Sequence, residues 1–208
     1  MIPIIILDFE TSGLNPYHDD IIEIGAKELN KDNTLSVLLR PKSNEMISQE
    51  ITTLTGITNR MLVNEGLAWE AGYSKLAEWL FSVIQSSEEK KIAIIAHNGE
   101  TFDFIFLKNI FSELRKLQIK TPSIKDIIFI DTLLFAKRLL PNRGSYRQET
   151  LCQSFNIPTR GGHRALNDVI ALEQLYVSLS QHLDKQLDSR RNVLDNPHMV
   201  HDYIHFKK

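Results

Sequence analysis

A single cysteine, Cys152, among 208 residues excludes an internal disulfide framework, fits a reducing compartment and leaves a zinc–thiolate site without partners. Neither sign of charge is in excess: 24 Lys and Arg against 26 Asp and Glu give a formal net charge of −2. A globally basic nucleic-acid binder is thereby ruled out, whereas a local basic surface is not. No apolar run approaches the ~20 residues a membrane helix needs. The apolar start Met1–Leu7 has no basic flank and meets Asp8 too soon for a secretory signal. The expectation is an intracellular protein, cytoplasmic or nuclear, with no membrane partner. Repeats and low-complexity segments are also lacking. What is present is 42% hydrophobic content, ample for one core. At this length one domain over residues 1–182 is expected, with residues 183–208 as a helical or partly ordered tail.

Hydrophobic periodicity orders the chain. Ile4-Ile5-Ile6-Leu7 reads as a strand buried on both faces, at the centre of an α/β sheet. Ile21–Leu29 and Thr34–Arg40, joined by Asn30-Lys31-Asp32-Asn33, read as a hairpin. Short helical turns are expected around residues 51–54 and 60–63. Trp69, Leu76, Trp79, Leu80 and Val83 fall at helical spacing within a helix over Ala68–Ile84. Ile92–Ala96 and Ile127–Ile130 are two more apolar strands, each followed by a helix, about Thr101–Leu117 and Thr132–Leu139. A short helix over Glu149–Phe155 and a long one over about Ala165–His182 follow. A hairpin followed by alternating strands and helices predicts an α/β fold with a mixed five-stranded sheet flanked by helices.

Acids stand where this pattern should exclude them. Asp8 and Glu10 end the first strand two residues apart, so both side chains leave it on the same side. A divalent metal explains the pair, and so does a turn capped by Asp8, Thr11 and Ser12. Asp103 lies in the apolar helix start Thr101-Phe102-Asp103-Phe104-Ile105-Phe106-Leu107, where complementing the helix dipole is an ordinary role for an acid. Asp168 shares an apolar helix face with Ala165 and Leu172, a poor place for a solvated acid. Asp131 also ends an apolar strand, but the helix behind it makes it an N-cap. His163 follows Gly161-Gly162 just outside the helix bearing Asp168, about 140° away around the axis. Four acids and a histidine meet the needs of metal-assisted phosphodiester hydrolysis, in which paired divalent ions act on phosphate and a near-neutral imidazole takes a proton. An Asp-nucleophile phosphatase would use Asp8 and leave His163 idle. A non-catalytic nucleic-acid-binding module would be expected to have lost some of these acids.

Three segments together resemble the exonuclease motifs of DEDDh-type 3′–5′ exonucleases: Asp8-Phe9-Glu10-Thr11-Ser12-Gly13-Leu14, Ala96-His97-Asn98-Gly99 through Phe102-Asp103, and His163-Arg164-Ala165-Leu166-Asn167-Asp168. The resemblance spans about residues 4–175 and implies a ribonuclease-H-like fold. It implies that Asp8, Glu10, Asp103 and Asp168 hold two divalent ions, Mg²⁺ or Mn²⁺, with Asp8 bridging them and Asp103 acting partly through water. His163 would be the general base, and the backbone at Thr11 would recognise the terminal 3′-hydroxyl. Leu14 and Phe102 would pack against the last bases, and Asn98 would help place the scissile phosphate. Leu54-Thr55-Gly56-Ile57-Thr58 is similar to a segment of proofreading members, and Asn98-Gly99 with Phe102-Asp103-Phe104 is similar to three-prime repair exonucleases. The implied activity is metal-dependent release of nucleoside 5′-monophosphates from 3′ ends, preferably of single-stranded DNA, with RNA as the alternative. A polymerase or repair complex is the implied setting. Arg143, Arg147, Arg160 and Arg164 stand near the implied cleft as candidate phosphate contacts.

Overall fold

The computed structural model describes residues 1–159, 164–187 and 192–206. Strand β1 (Ile4–Thr11) is the central element of a five-stranded sheet. It pairs antiparallel with β2 (Ile21–Glu28), which pairs antiparallel with β3 (Thr34–Leu38). On its other side it pairs parallel with β4 (Ile92–Ala96), itself parallel to β5 (Ile127–Asp131). The order β3-β2-β1-β4-β5 is the mixed five-stranded sheet expected from the sequence.

Alternation along β1 builds two cores. Ile5, Leu7 and Phe9 face α3 (Trp69–Ser86) and α4 (Asp103–Lys116), meeting Leu76, Leu80, Leu107 and Phe111. Ile4 and Ile6 face the other side, where α5 (Thr132–Leu139), α6 (Gln148–Ser154) and α7 (Ala165–Leu187) contribute Phe135, Leu151, Leu172 and Tyr176. Burial of these aliphatic and aromatic side chains on both faces is the main force holding the layers together. Asp8 and Glu10 continue the register of Ile4 and Ile6, which directs them to the α7 side.

Between β3 and α3, α1 (Gln49–Thr55) and α2 (Asn59–Glu65) cover a small third core of Ile22, Ile47, Ile57 and Leu62. The segment 54–58 joins them: Gly56, at φ +71°, closes α1 in the left-handed region, and the Thr58 hydroxyl caps α2 by accepting from Met61 N–H. Several helix ends differ from expectation, mostly by one or two residues, and two of the differences have a structural reason or consequence. The fourth helix begins at Asp103 rather than Thr101, because residues 98–102 form turns in which Phe104 N–H donates to Gly99 C=O at 2.9 Å. The long helix runs on to Leu187, past residue 182.

Chain beyond that helix returns to the domain as α8 (Pro197–His205). Val193 and Val200 are fully buried in the second core, and Tyr203 packs edge-on against Phe135 at 5.9 Å. Among the described residues no helix is long and apolar enough to cross a membrane.

Candidate active site

Strand direction places the site. From β1 the chain builds the sheet outward through β2 and β3, whereas β4 and β5 build it the other way. A parallel sheet opens a crevice beyond the carboxyl ends of its strands at such a reversal. The β1–β4 pairing ends at Ile6–Ile95, so Asp8 and Glu10 project past it from a strand still held on its other edge by β2. Asp168, one turn into α7, meets them there. One carboxylate oxygen from each of Asp8, Glu10 and Asp168 falls within 4.8 Å of the others, and all three residues are half-buried. Asp103 lies in the first turn of α4, is 3% exposed, and accepts Phe9 N–H at 3.1 Å, directly between Asp8 and Glu10 on β1.

Crowding acids in a site shielded from water raises the cost of ionising them. Burial, then the carboxylates of Asp103, Glu10, Asp168 and Glu23, hold the Asp8 carboxyl well above the usual range. Burial and the charges of Asp168, Glu23 and Asp103 push Glu10 up to about 8, against a smaller opposing pull from Arg164. Burial raises Asp103 to about 7, despite hydrogen bonds from the Phe9 and Asp103 N–H groups that favour its charged form. Such a cluster of oxygen donors without a cation is electrostatically unfavourable. Hard divalent ions that prefer carboxylate oxygens fit it.

Glu23, 1% exposed in Ile21-Ile22-Glu23-Ile24, positions α7. Its oxygens accept from Arg164 Nε at 3.1 Å and from an Arg164 terminal nitrogen at 2.7 Å. They also accept Ala165 N–H, at the start of α7, at 2.9 Å. Arg164, expected as a phosphate contact, is therefore committed to this bidentate pair. Gly25 lets the helix come close, since a Cβ there would lie 2.5 Å from the Ala165 carbonyl carbon. Glu23 was legible in the sequence by the same anomaly as Asp8, an acid inside an apolar strand.

A cleft of about 850 Å³ opens over the acids, walled by Phe9, His97, Asn98, Leu133, Lys137, residues 144–149 and Thr159. Arg147 lines it, joined by Lys137, which the sequence did not single out. His97 has its pKa lowered by burial, against smaller opposing effects of the Tyr146 carbonyl and Asp131. Its Nδ1 lies 2.9 Å from Thr132 Oγ1 and its Nε2 2.9 Å from Tyr146 C=O, tying the loop before α6 to the end of β4. Gln148 Nε2 donates to the Asp168 C=O at 3.0 Å, joining α6 to α7.

Asn98 lines the cleft and also makes the turn, at φ +62°, with its side-chain oxygen accepting from Thr101 Oγ1 at 2.9 Å. Asp131 caps α5 through Leu133 N–H at 2.8 Å, as expected, and also accepts Asn98 N–H at 3.0 Å and Glu100 N–H at 3.1 Å. Thr11, Leu14 and Phe102 do not line this cleft. Thr11 follows a register shift in β1, Leu14 is 85% exposed, and Phe102 packs edge-on against Phe106 at 5.0 Å. His163 and Arg160 lie outside the described residues.

The RNase_T exonuclease family matches residues 5–176. DNA polymerase III PolC-type of Thermotoga petrophila is 31% identical over 206 residues, covering 98% of this chain and 14% of the polymerase. The fold is similar to Escherichia coli exonuclease I solved with a dT13 oligonucleotide, with a TM-score of 0.70 and 19% identity over 90% of this chain and 43% of that one. Exonuclease I of Methylocaldum szegediense gives 0.66 at 17% identity, covering 94% and 42%. The chain thus spans a small part of the polymerase and less than half of the exonuclease I chains, whose likeness makes its sheet and helices a ribonuclease-H-like fold. On the extent of the family match, and on identity to the polymerase across nearly the whole of this chain, the chain belongs to the exonuclease family, among the DEDDh-type 3′–5′ exonucleases.

Proposed function

We propose that this chain hydrolyses the terminal phosphodiester bond at the 3′ end of DNA, preferably single-stranded, and releases nucleoside 5′-monophosphates. The observation that carries the reading is the convergence of Asp8, Glu10 and Asp168 within 4.8 Å beneath an open cleft. Asp8, Glu10, Asp103 and Asp168 would hold two divalent ions, Mg²⁺ or Mn²⁺. Such ions, when bound, would supply Lewis-acid polarisation of the phosphate and would favour ionisation of the attacking water.

The chain's own residues supply the rest. Asp8, central among the acids, is the one suited to serve both ions. Lys137 and Arg147, exposed on the cleft wall, attract the strand's phosphates, with affinity that falls as salt rises. The imidazole of His163, one residue before the Glu23-bound Arg164, takes the proton from the attacking water. Asn98, on the cleft wall, helps place the scissile phosphate, and the strand end would extend past the cleft to bring its 3′-hydroxyl to the Thr11 backbone and its last bases to Leu14 and Phe102. DNA is favoured over RNA because the similar proteins are DNA polymerases and an exonuclease bound to a deoxyoligonucleotide. The polymerase relatives likewise support a polymerase or repair complex as the setting.

End-labelled single strands of DNA and RNA, incubated with Mg²⁺, Mn²⁺ or chelator and with wild type or Asp8→Ala, test the reading. A 3′ ladder that requires both metal and Asp8, and forms faster on DNA, is expected. Faster cleavage of RNA would reverse the substrate assignment, and no cleavage under any metal would overturn the activity.

A further inference from the structure

Three of the chain's seven histidines, His198, His201 and His205, lie on α8. Spacings of three and four residues put them on one helix face. The rings of His201 and His205 are 4.6 Å apart between centroids. His205 Nε2 also lies 3.4 Å from Oε1 of Glu100, on the loop between β4 and α4. His201 and His205 are about one-third exposed and Glu100 is 45% exposed, so a cation can reach all three.

The backbone on each side is held by bonds that do not use these donors. Arg138 donates to the carbonyls of Ile204 at 3.0 Å and Phe206 at 2.8 Å, and its guanidinium lies 5.0 Å over the Tyr203 ring. Across the gap, Glu100 N–H donates to Asp131 at 3.1 Å. The Glu100 carboxylate accounts for the imidazole of His205, and Asp202 Oδ1 lies 3.5 Å from Nδ1 of His201, so the two stacked rings bring imidazole nitrogens and carboxylates together at one end of α8.

We propose that His201, His205 and Glu100 form a second cation site, for a borderline transition metal of the Zn²⁺ class, which joins α8 to the β4–α4 loop. Two imidazoles and a carboxylate are a ligand set that Zn²⁺ favours, and histidines four apart on a helix offer two of them from one face. The cleft acids are all oxygen donors, so the two sites sort ions by hardness. The imidazole and carboxylate donors are spread more widely than the 4.8 Å of the acidic cluster. Binding therefore requires the one-third-exposed His201 ring to turn between staggered positions to bring its nitrogen to the cation. The fourth position is left to solvent or to His198.

The test is calorimetric titration of Zn²⁺ into the full Asp168→Asn chain under excess Mg²⁺, which weakens competition from the cleft. The same chain is compared with His205→Ala or Glu100→Gln added, and circular dichroism checks that each variant is folded. One Zn²⁺ per chain is expected, with affinity lowered at least ~tenfold by either added change. Zn²⁺ should also slow amide exchange in both residues 197–205 and 98–102. Unchanged affinity in both variants, or no Zn²⁺ binding by the folded Asp168→Asn chain, would overturn the site. Protection confined to α8 would remove Glu100 and the link to the loop.

Discussion

The acids around the cleft divide by the company they keep. Glu23 and Asp131 are surrounded by donors: an arginine and a helix-start N–H for one, three backbone N–H groups for the other. No comparable donor set meets Asp8 or Glu10 among the described residues, and both are held towards protonation. Satisfied acids hold structure, whereas crowded ones are poised for a cation. Glu10→Gln should therefore cut turnover by ~10²-fold or more, because under the proposed mechanism several kcal/mol of transition-state stabilisation would rest on ions that Glu10 helps hold. Its melting temperature in chelator should not fall. A variant with near-normal turnover would remove Glu10 from the ion-binding set. Glu23→Ala should destabilise the chain by ~1–3 kcal/mol in denaturant titration, since Arg164 and Ala165 N–H lose their acceptor; Glu23→Gln, which keeps one oxygen for Ala165, should lose less. His163→Ala should slow single turnover strongly while metal affinity changes little, and an unchanged rate would take His163 out of the base role.

Among the elements, α7 decides whether the site exists, because it alone brings Asp168 to a strand at the far end of the sequence. Its approach depends on Gly25, so Gly25→Val should push Ala165 away and cost ~1–3 kcal/mol of overpacking. Turnover should fall further than stability explains when both are measured below the unfolding transition. Unaltered kinetics would mean that α7 can shift without disturbing Asp168. The strands, α7 and the acids at their ends were legible because a charge in an apolar run is a local anomaly. Glu23 carried the same signal, yet its partners, Arg164 and Ala165, lie some 140 residues away and no local pattern links them. The start of α4 was misplaced by two residues because the left-handed turn at Asn98, held by Asp131 from another strand, competes with helix there. Lys137 joins the cleft only through tertiary packing, so nothing in its sequence neighbourhood marks it, and His97, though inside the second motif, shows its part only through its contacts with Thr132 and Tyr146.

At the scale of the whole molecule, the cleft stores electrostatic strain that pH should reveal. Glu10 and Asp103 ordinarily lose their protons near 4.5 and 3.8, but in the folded chain they keep them up to about 8 and about 7. The folded state binds more protons between those limits, so the stability they contribute is complete in acid and is lost as pH rises through 7 and 8. In chelator the melting temperature should fall from about pH 5 to about pH 8. Mg²⁺ or Mn²⁺ should restore it most at the upper end, since ions bind the ionised carboxylates. A flat profile in chelator would contradict the crowding of the acids. The polar segment after residue 182 gave no clear pattern in the sequence because Val193, Val200 and Tyr203 are spaced unevenly, and their burial becomes evident only when α8 is seen against α5 and β5. Docking of α7 also has a consequence in time. A growing polypeptide leaves the ribosome with Asp8, Glu10 and Asp103 well before Asp168, at ~5–20 residues per second. With the site as proposed, the newborn chain would be unarmed until the last of these acids swings in against β1, and nucleic acid near its place of synthesis would be safe from it.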